Sequence, residues 1–463
     1  MKLNAKQIVH LYNRMGFGIT LSEFKSLEGK NSDLMVDEIF DNTKQFKPLP
    51  FSFDANIPVK NFAELTAEEK KELNIMSKEG IKKLNITWLN EMSNSKDFFT
   101  EKMAFFWHDH FACGDNNPIF MERYCNVLRE NALGNFKDLL FGVSKSAAMI
   151  KYLNNKQNKK DSPNENFARE VMELFTIGKG NYTENDIRES ARAFTGWSFE
   201  PGNPDFKFRP IIHDFEEKTF LGKTGNFDGD DILHILLEKK ETAKFIVQKI
   251  YAFFVNPKLD NEIINELTDH FYNSNYEIGN LMRIIFKSPW FYDINNMGQL
   301  VKSPVELLVS YNRKLALKYT NENTQLFVQK ALGQVLCYPP NVGGWPNGTQ
   351  WIDSSAILFR FNLPQLLMGN IPNNVELKES GDDNDALKQI KNEGIKTIVD
   401  WNSFANILDG KDLNEIQAEL SSFLFSIPPS NLPLNFFVKS SEKTEMVKEI
   451  TLRLLQLPEY QLN

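Results

Sequence analysis

The 463-residue sequence predicts a mostly α fold: a large multi-helix domain with a small hairpin or ordered loop around 200–225. Three observations carry that expectation. Apolar residues recur at helical spacing along most of the chain, 38 phenylalanines supply rigid apolar bulk for a thick interior, and Gly and Pro gather in a few breaks. A hydrophobic share of 41% with 25% charged residues is that of a globular chain and excludes disordered, collagen-like and coiled-coil classes.

In chain order, Glu64 to Lys78 reads as a charged surface helix, and Ile81 to Met92 follows with Leu84, Ile86, Leu89 and Met92 near helical spacing. Phe98 to Phe111 sets Phe99, Met103, Phe106 and His110 on one stripe, with Gly114 placed as a C-cap. Further helices are expected at Ile119–Ala132, Phe136–Ser144, Pro163–Ile177, Glu184–Phe194, Asp231–Leu237 and Thr242–Phe254. The break from Gly196 to Gly229 carries two short extended arms, Phe206–Arg209 and Lys218–Leu221, around His213-Asp214. A second break, Cys337 to Gly348, is too rich in Pro and Gly for a helix and too aromatic for a linker, so it reads as an ordered loop. Residues 1–370 are expected to form the main helical domain, the acidic stretch 371–395 a mobile linker or insertion, and 396–463 helices packed on the main body.

Composition narrows the partners. Lys+Arg 53 against Asp+Glu 61 gives a net charge of −8, which opposes nucleic-acid binding because that requires phosphate charges to be neutralised. Three cysteines with no C-x-x-C pair give neither a disulfide framework nor a cysteine zinc site. No apolar run is long enough for a membrane span. The N-terminus shows no secretion signal, which by sequence reads as cytoplasmic, with a periplasmic or extracellular place open through co-export with a partner, so the compartment is not assigned.

The chemistry-bearing residues lie in three stretches. In Asp161 to Gly178, Ser162, Pro163 and Glu165 are placed as a capping box, and Asn166, Arg169, Glu170 and Glu173 share one helical face. Two carboxylates three apart there either ligate a metal or divide acid and base roles; the plainer alternative is a solvated stripe tied by Glu165–Arg169 and Arg169–Glu173 pairs. Trp107-His108-Asp109-His110 holds two of only six histidines, in aromatic surroundings that favour the neutral, metal-binding ring. Residues two apart on a helix point about 200° from each other, so one of these rings is the better ligand and the other a supporting or core group. His213-Asp214 sits in the first break, where a loop can deliver a ring into a helical cleft with the Asp orienting it. Gly222-Lys223-Thr224 lacks the upstream glycine of a phosphate loop, and no dinucleotide, nucleophile-elbow or H-E-x-x-H pattern occurs.

Taken together, Leu11–Gly18, Trp107–Phe111, Pro163–Glu170 with Met172–Leu174, Ala193–Trp197, His213-Asp214, Lys218–Gly222, Lys302–Glu306 and Pro340–Trp351 resemble the domain of unknown function 1800 family, bacterial proteins often encoded beside a sulfatase-like partner. The resemblance runs from about residue 5 to about residue 367, with the C-terminal helices less typical. It implies a helical fold without a settled activity, and it singles out Trp107, His108, His110, Asn164, Glu165, Asn166, Arg169, Glu170, Glu173, His213 and Asp214. Relatives commonly carry Asn where this chain has Asp109, which implies that Asp109 is not a required ligand.

The functional expectation is a metal-dependent hydrolase or oxidoreductase. His108, His110, Glu170, Glu173 and His213 would ligate one or two divalent transition metals (Fe, Mn or Zn) in a helical cleft. Glu170, Glu173, His213, Asp214 and Arg169 are the expected catalytic residues, and Trp107, Asn164 and Asn166 the residues lining the cofactor. The alternatives are a non-enzymatic scaffold or accessory subunit of the sulfatase-like partner, its polar set acting as a packing network, and a carbohydrate-binding module using Trp345 and Trp351, with a glycan or other polymer as ligand.

Overall fold

The computed structural model describes residues 1–43, 45–53, 65–200, 203–369, 395, 397–429, 440 and 442–463; Glu64 and, apart from Ile395, the acidic stretch 371–395 lie outside them. Among the described residues twenty α-helices follow in order: α1 Ala5–Met15, α2 Leu21–Leu27, α3 Ser32–Asp41, α4 Ala67–Asn94, α5 Phe98–His110, α6 Pro118–Glu130, α7 Phe136–Ser144, α8 Ala147–Tyr152, α9 Asn166–Glu170, α10 Glu184–Ala193, α11 Gly229–Leu237, α12 Lys240–Phe254, α13 Asn261–Asn273, α14 Ile278–Lys287, α15 Pro304–Leu315, α16 Asn323–Leu332, α17 Ser354–Met368, α18 Trp401–Asn406, α19 Leu413–Leu424 and α20 Lys443–Leu455. The protein is therefore mostly α, and no described helix is long and apolar enough to cross a membrane.

Local chemistry explains the helix ends. Capping boxes, in which a polar side chain accepts from the third helical N–H and is answered by the residue there, start α4 (Thr66 with Glu69), α10 (Thr183 with Asp186), α11 (Asp228 with Asp231) and α15 (Ser303 with Glu306). The two helices expected between 64 and 92 are one. Gly80 does not interrupt α4, because a Cβ there would lie 2.4 Å from the Pro118 ring and 2.6 Å from Phe53; the glycine permits close approach. Gly114 is not the C-cap of α5, which is Phe111; it lets the chain pass the carbonyl of Cys337.

The Pro163–Ile177 helix is also revised. Its α part begins only at Asn166, with Glu165 making no side-chain cap bond, and residues 171–175 are wound as a π turn. Asn164, not Ser162, supplies the cap: its Oδ1 accepts from the N–H of Asn166 at 3.0 Å, and Asn158 Oδ1 in turn accepts from the N–H of Asn164 at 2.8 Å.

Among the described residues sheet is confined to three short antiparallel pairs, β1 Trp197–Phe199 with β2 Phe206–Phe208, β3 Lys218–Phe220 with β4 Lys223–Gly225, and β5 Lys318–Tyr319 with β6 Thr397–Ile398. The two expected arms are extended, yet each pairs with its own neighbour and not with the other. Gly196, at φ +83°, makes the turn into β1 where a Cβ would sit 2.8 Å from the carbonyl of Arg209.

One buried cluster links the whole body. Phe99 meets Phe286 edge-on at 5.6 Å, Phe106 lies 5.7 Å from Phe254, and Phe24 of α2 packs 5.7 Å from Phe423 of α19, so N- and C-terminal helices share a core. All three cysteines are buried and unbridged.

Candidate functional site

The last turn of α5 aims its three polar residues in different directions. His108 is fully buried among Trp88, Trp345 and Tyr124, and its Nε2 accepts the N–H of Cys337 at 3.1 Å. Its proton therefore sits on Nδ1, and burial holds the imidazole down at about 3, neutral. Two residues on, His110 points away: Nε2 donates to the carbonyl of Phe175 at 3.2 Å, leaving the Nδ1 lone pair buried without a partner among Phe106, Phe175 and Phe245. Burial, with the charge of Lys249, pushes this ring to about 3 as well. Between them Asp109 accepts the N–H of Trp345 at 2.8 Å and fastens the 337–348 loop to α5. Trp107 is a core residue whose indole donates to the carbonyl of Ala132, and Trp345 and Trp351 are both buried.

The π turn shapes the second stretch. Its extra residue is accommodated as Thr176 Oγ1 donates to the carbonyl of Val171 and Gly178 N–H closes on Met172, a winding that recurs at functional sites. Upstream, the Arg169 guanidinium takes both oxygens of Glu184, at 3.1 and 3.0 Å, and Glu165 at 3.3 Å; the Glu184 bonds raise its pKa most. The Glu165–Arg169 pair is present, whereas Glu173 pairs with Lys179 at 2.7 Å and accepts the Tyr182 hydroxyl at 2.7 Å. Those bonds hold the Glu173 carboxyl below its usual range. Glu170, half-buried, has no hydrogen-bond or ion-pair partner among the described residues, and burial followed by the Glu173 charge raises its pKa. Asn166 is exposed.

The third stretch is built on Thr195. His213 Nδ1 donates to the Thr195 carbonyl at 2.7 Å, and the Asp214 N–H donates to Thr195 Oγ1 at 2.9 Å. The ring lies edge-on to Phe208 and Phe215. Burial alone would raise the Asp214 carboxyl, but Arg192, at 2.7 Å, and the Glu216 N–H outweigh it and hold it low. Lys218, its side chain fully buried, donates to the carbonyls of Asp214 and Glu216.

Helix α10 joins two of the three stretches: Glu184 and Arg188 hold the Glu165–Arg169 turn, Arg192 holds Asp214, and Asn158 donates to the Ala191 carbonyl while supporting Asn164. His110 reaches the π turn through Phe175, while His108 faces the 337–348 loop. Sequence reasoning missed Lys179, Tyr182, Glu184 and Arg192, ordinary surface types whose partners become visible only in three dimensions. Lys218 and Thr195 lay within motifs already quoted.

The expected metal was tested on these donors. His108 has given its lone pair to Cys337 N–H, Glu173 is held by Lys179 and Tyr182, and the free nitrogen of His110 is walled by phenylalanines. Among the described residues no group of three or more His, Cys, Asp or Glu side chains is placed to hold a metal ion. The set as arranged does not fit one ion. Beside Tyr182, a cavity of about 460 Å³ is lined by Ile177, Asn181, Thr183, Asp186, Leu221 and Lys239.

The family model described as "Protein of unknown function (DUF1800)" matches residues 10–462. The chain belongs to that family. The match runs on through α18–α20, so the C-terminal helices are as much a part of the DUF1800 chain as the motif-bearing region, contrary to the extent read from the motifs. No curated protein and no solved structure matches the chain.

Proposed function

We propose that this DUF1800 chain is an enzyme of acid–base type, hydrolytic in class, working at the carboxylate pair on the π turn. Glu170 serves as the acid of the pair and Glu173 as the base. The observation that supports this is the opposite displacement of the two acidities, Glu170 upward through burial and its neighbour's charge and Glu173 downward through Lys179 and Tyr182, together with Glu170 being the charged group of these motifs left without a partner. Environments that push neighbouring carboxyls apart are how one site holds both an acid and a base. Arg169, engaged by Glu184 and Glu165, steadies the turn.

The test is substrate-independent in its first half. A carbon-detected titration of the Glu170 carboxyl should give a value above the ordinary ~4.3 for glutamate; a value at or below that overturns the reading. In its second half, chromogenic esters, glycosides, phosphate esters and sulfate esters are assayed with elemental analysis of the purified chain alongside. Glu170→Gln should lose about 100-fold or more of any hydrolysis found, with its melting temperature unchanged.

A second reading, a scaffold or accessory subunit for the sulfatase-like partner, is favoured by a different observation: the other charged groups of the motifs bridge separate elements, Arg169 to α10 and Asp214 to Arg192 and Lys218. Its signature is an inert Glu170→Gln, no stoichiometric metal, and a large stability loss in Asp214→Ala.

A further inference from the structure

Where α15, α17 and the C-terminal turn Pro458–Gln461 meet, the interior holds cations with too few anions. Arg14, Lys102, Lys302, Lys314 and Arg360 are all buried, and the carboxylate among them is Glu306, which takes Lys102. Lys302 is satisfied by the carbonyls of Tyr460 and Leu462, and Lys314 donates to that of Leu424 at 3.3 Å. Both lysines lie over the Tyr460 ring, at 4.4 and 5.5 Å, and burial pushes Lys314 down to about 7. A lysine can shed its proton to relieve such a burden; an arginine keeps it.

Like Arg14, whose Nε and Nη1 also have no partner among the described residues, Arg360 has buried donors left over. Its Nη1 donates to the Lys302 carbonyl at 2.9 Å and to Gln461 Oε1 at 3.4 Å. Nε and Nη2, the parallel donors that grip an oxyanion side-on, have no partner among the described residues. Beside them lie the buried Tyr311 hydroxyl and Gln461 Nε2, which, apart from the amide's approach to the phenol oxygen, have no other partner among the described residues. The Arg360 charge acts on the Tyr311 phenol, and Tyr311 is stacked on Tyr460 with ring centres 5.5 Å apart and planes 11° from parallel. Burial keeps the phenol protonated. Every unpartnered atom around Arg360 is thus able to donate. Water in such a place would itself need acceptors, whereas an oxyanion offers only acceptors and brings the missing charge.

We infer that the open fork of Arg360, with the Tyr311 hydroxyl and the Gln461 amide beside it, binds one small oxyanion (carboxylate, phosphate or sulfate) enclosed between α15, α17 and the C-terminal turn. The ion is a fixed part of the fold, tying the last residues of the chain to α15, and is separate from the Glu170 site.

The purified, desalted full-length chain is denatured and the released ions are separated chromatographically; in parallel its melting temperature is followed against millimolar phosphate, sulfate or formate at ionic strength held constant with chloride. One oxyanion per chain in the released fraction, or a saturable rise in melting temperature with one of the three, is expected, and the responding ion identifies the class. Arg360→Lys, which keeps the charge and removes the fork, should release none. Tyr311→Phe, which keeps the stacked ring, should shift the midpoint of the response about tenfold, the loss of one hydrogen bond to a charged group. Should Arg360→Lys fail to fold, Tyr311→Phe decides. A wild-type chain that releases no oxyanion and whose melting is indifferent to all three overturns the proposal.

Discussion

Asp109→Asn separates the two things Asp109 does, accepting a hydrogen bond and carrying a charge. Its Oδ1 holds the N–H of Trp345 at 2.8 Å, a task an amide oxygen performs equally well. Burial pushes the carboxyl up to about 6, with the Trp345 N–H and the Lys249 charge pulling the other way. In the unfolded chain the same group titrates near ~3.9. Between about pH 4 and 6 the folded chain therefore keeps a proton that the unfolded chain has lost. Stability from this group is highest below that window, falls as pH rises through it, and is lower by about 3 kcal/mol above it, two pKa units at ~1.4 kcal/mol each. The substituted chain escapes that loss. For 463 residues one kcal/mol corresponds to about 1 °C in melting temperature. Scanning calorimetry should find the two chains alike at pH 4 and the Asp109→Asn chain higher by about 3 °C at pH 7.5. A difference that is the same at both pH values, or a substituted chain that melts lower at pH 7.5, refutes the argument.

Gly344→Ala attacks the same junction from the loop. At φ +85° its new Cβ would sit 2.4 Å from Asp109 Oδ1 and 2.7 Å from the Asp109 carbonyl, so a loss of about 2 kcal/mol or more in urea unfolding is expected, and a neutral result would show that the loop can shift freely. Glu101→Ala strands Arg129, which reaches it through Nε and through Nη2 at 2.6 Å, and leaves the Trp88 indole without its acceptor at 2.9 Å. Because the surviving guanidinium is buried, the expected loss is about 3–5 kcal/mol, read from the urea midpoint; a loss under about 1 kcal/mol would mean that water reaches Arg129.

The helical body was legible because its signals are local. Phe136–Ser144 and the helix expected at Asp231–Leu237 needed only apolar spacing, and the structure adds Asn135 and Asp228 as their caps. What escaped depended on neighbours distant in sequence. The stretches 64–78 and 81–92 read as two helices because the Pro118 and Phe53 rings that require Gly80 between them cannot be seen from position 80. Ser162-Pro163 had every local mark of a helix start, yet Asn158 captures the Asn164 N–H and delays the helix to Asn166. For the candidate site, the sequence singled out residues that do carry unusual burdens. Its picture of five donors around one point failed to foresee that His108 would answer a backbone N–H and Glu173 a tyrosine and a lysine. The Arg360 cluster escaped entirely, since buried arginines and lysines read like surface residues until the helices around them are assembled.

The wide winding at 171–175 also sets how the chain tolerates changes in length. Deleting a single residue there would let the segment rewind as ordinary helix, and each residue of helix corresponds to about 100° of rotation. Glu173 would swing off Lys179 and Tyr182 by that angle while the core-facing Phe167 and Val171 kept their seats. A one-residue deletion at this point would thus re-aim Glu173 relative to Glu170, and would also move the buried Phe175 against which His110 rests.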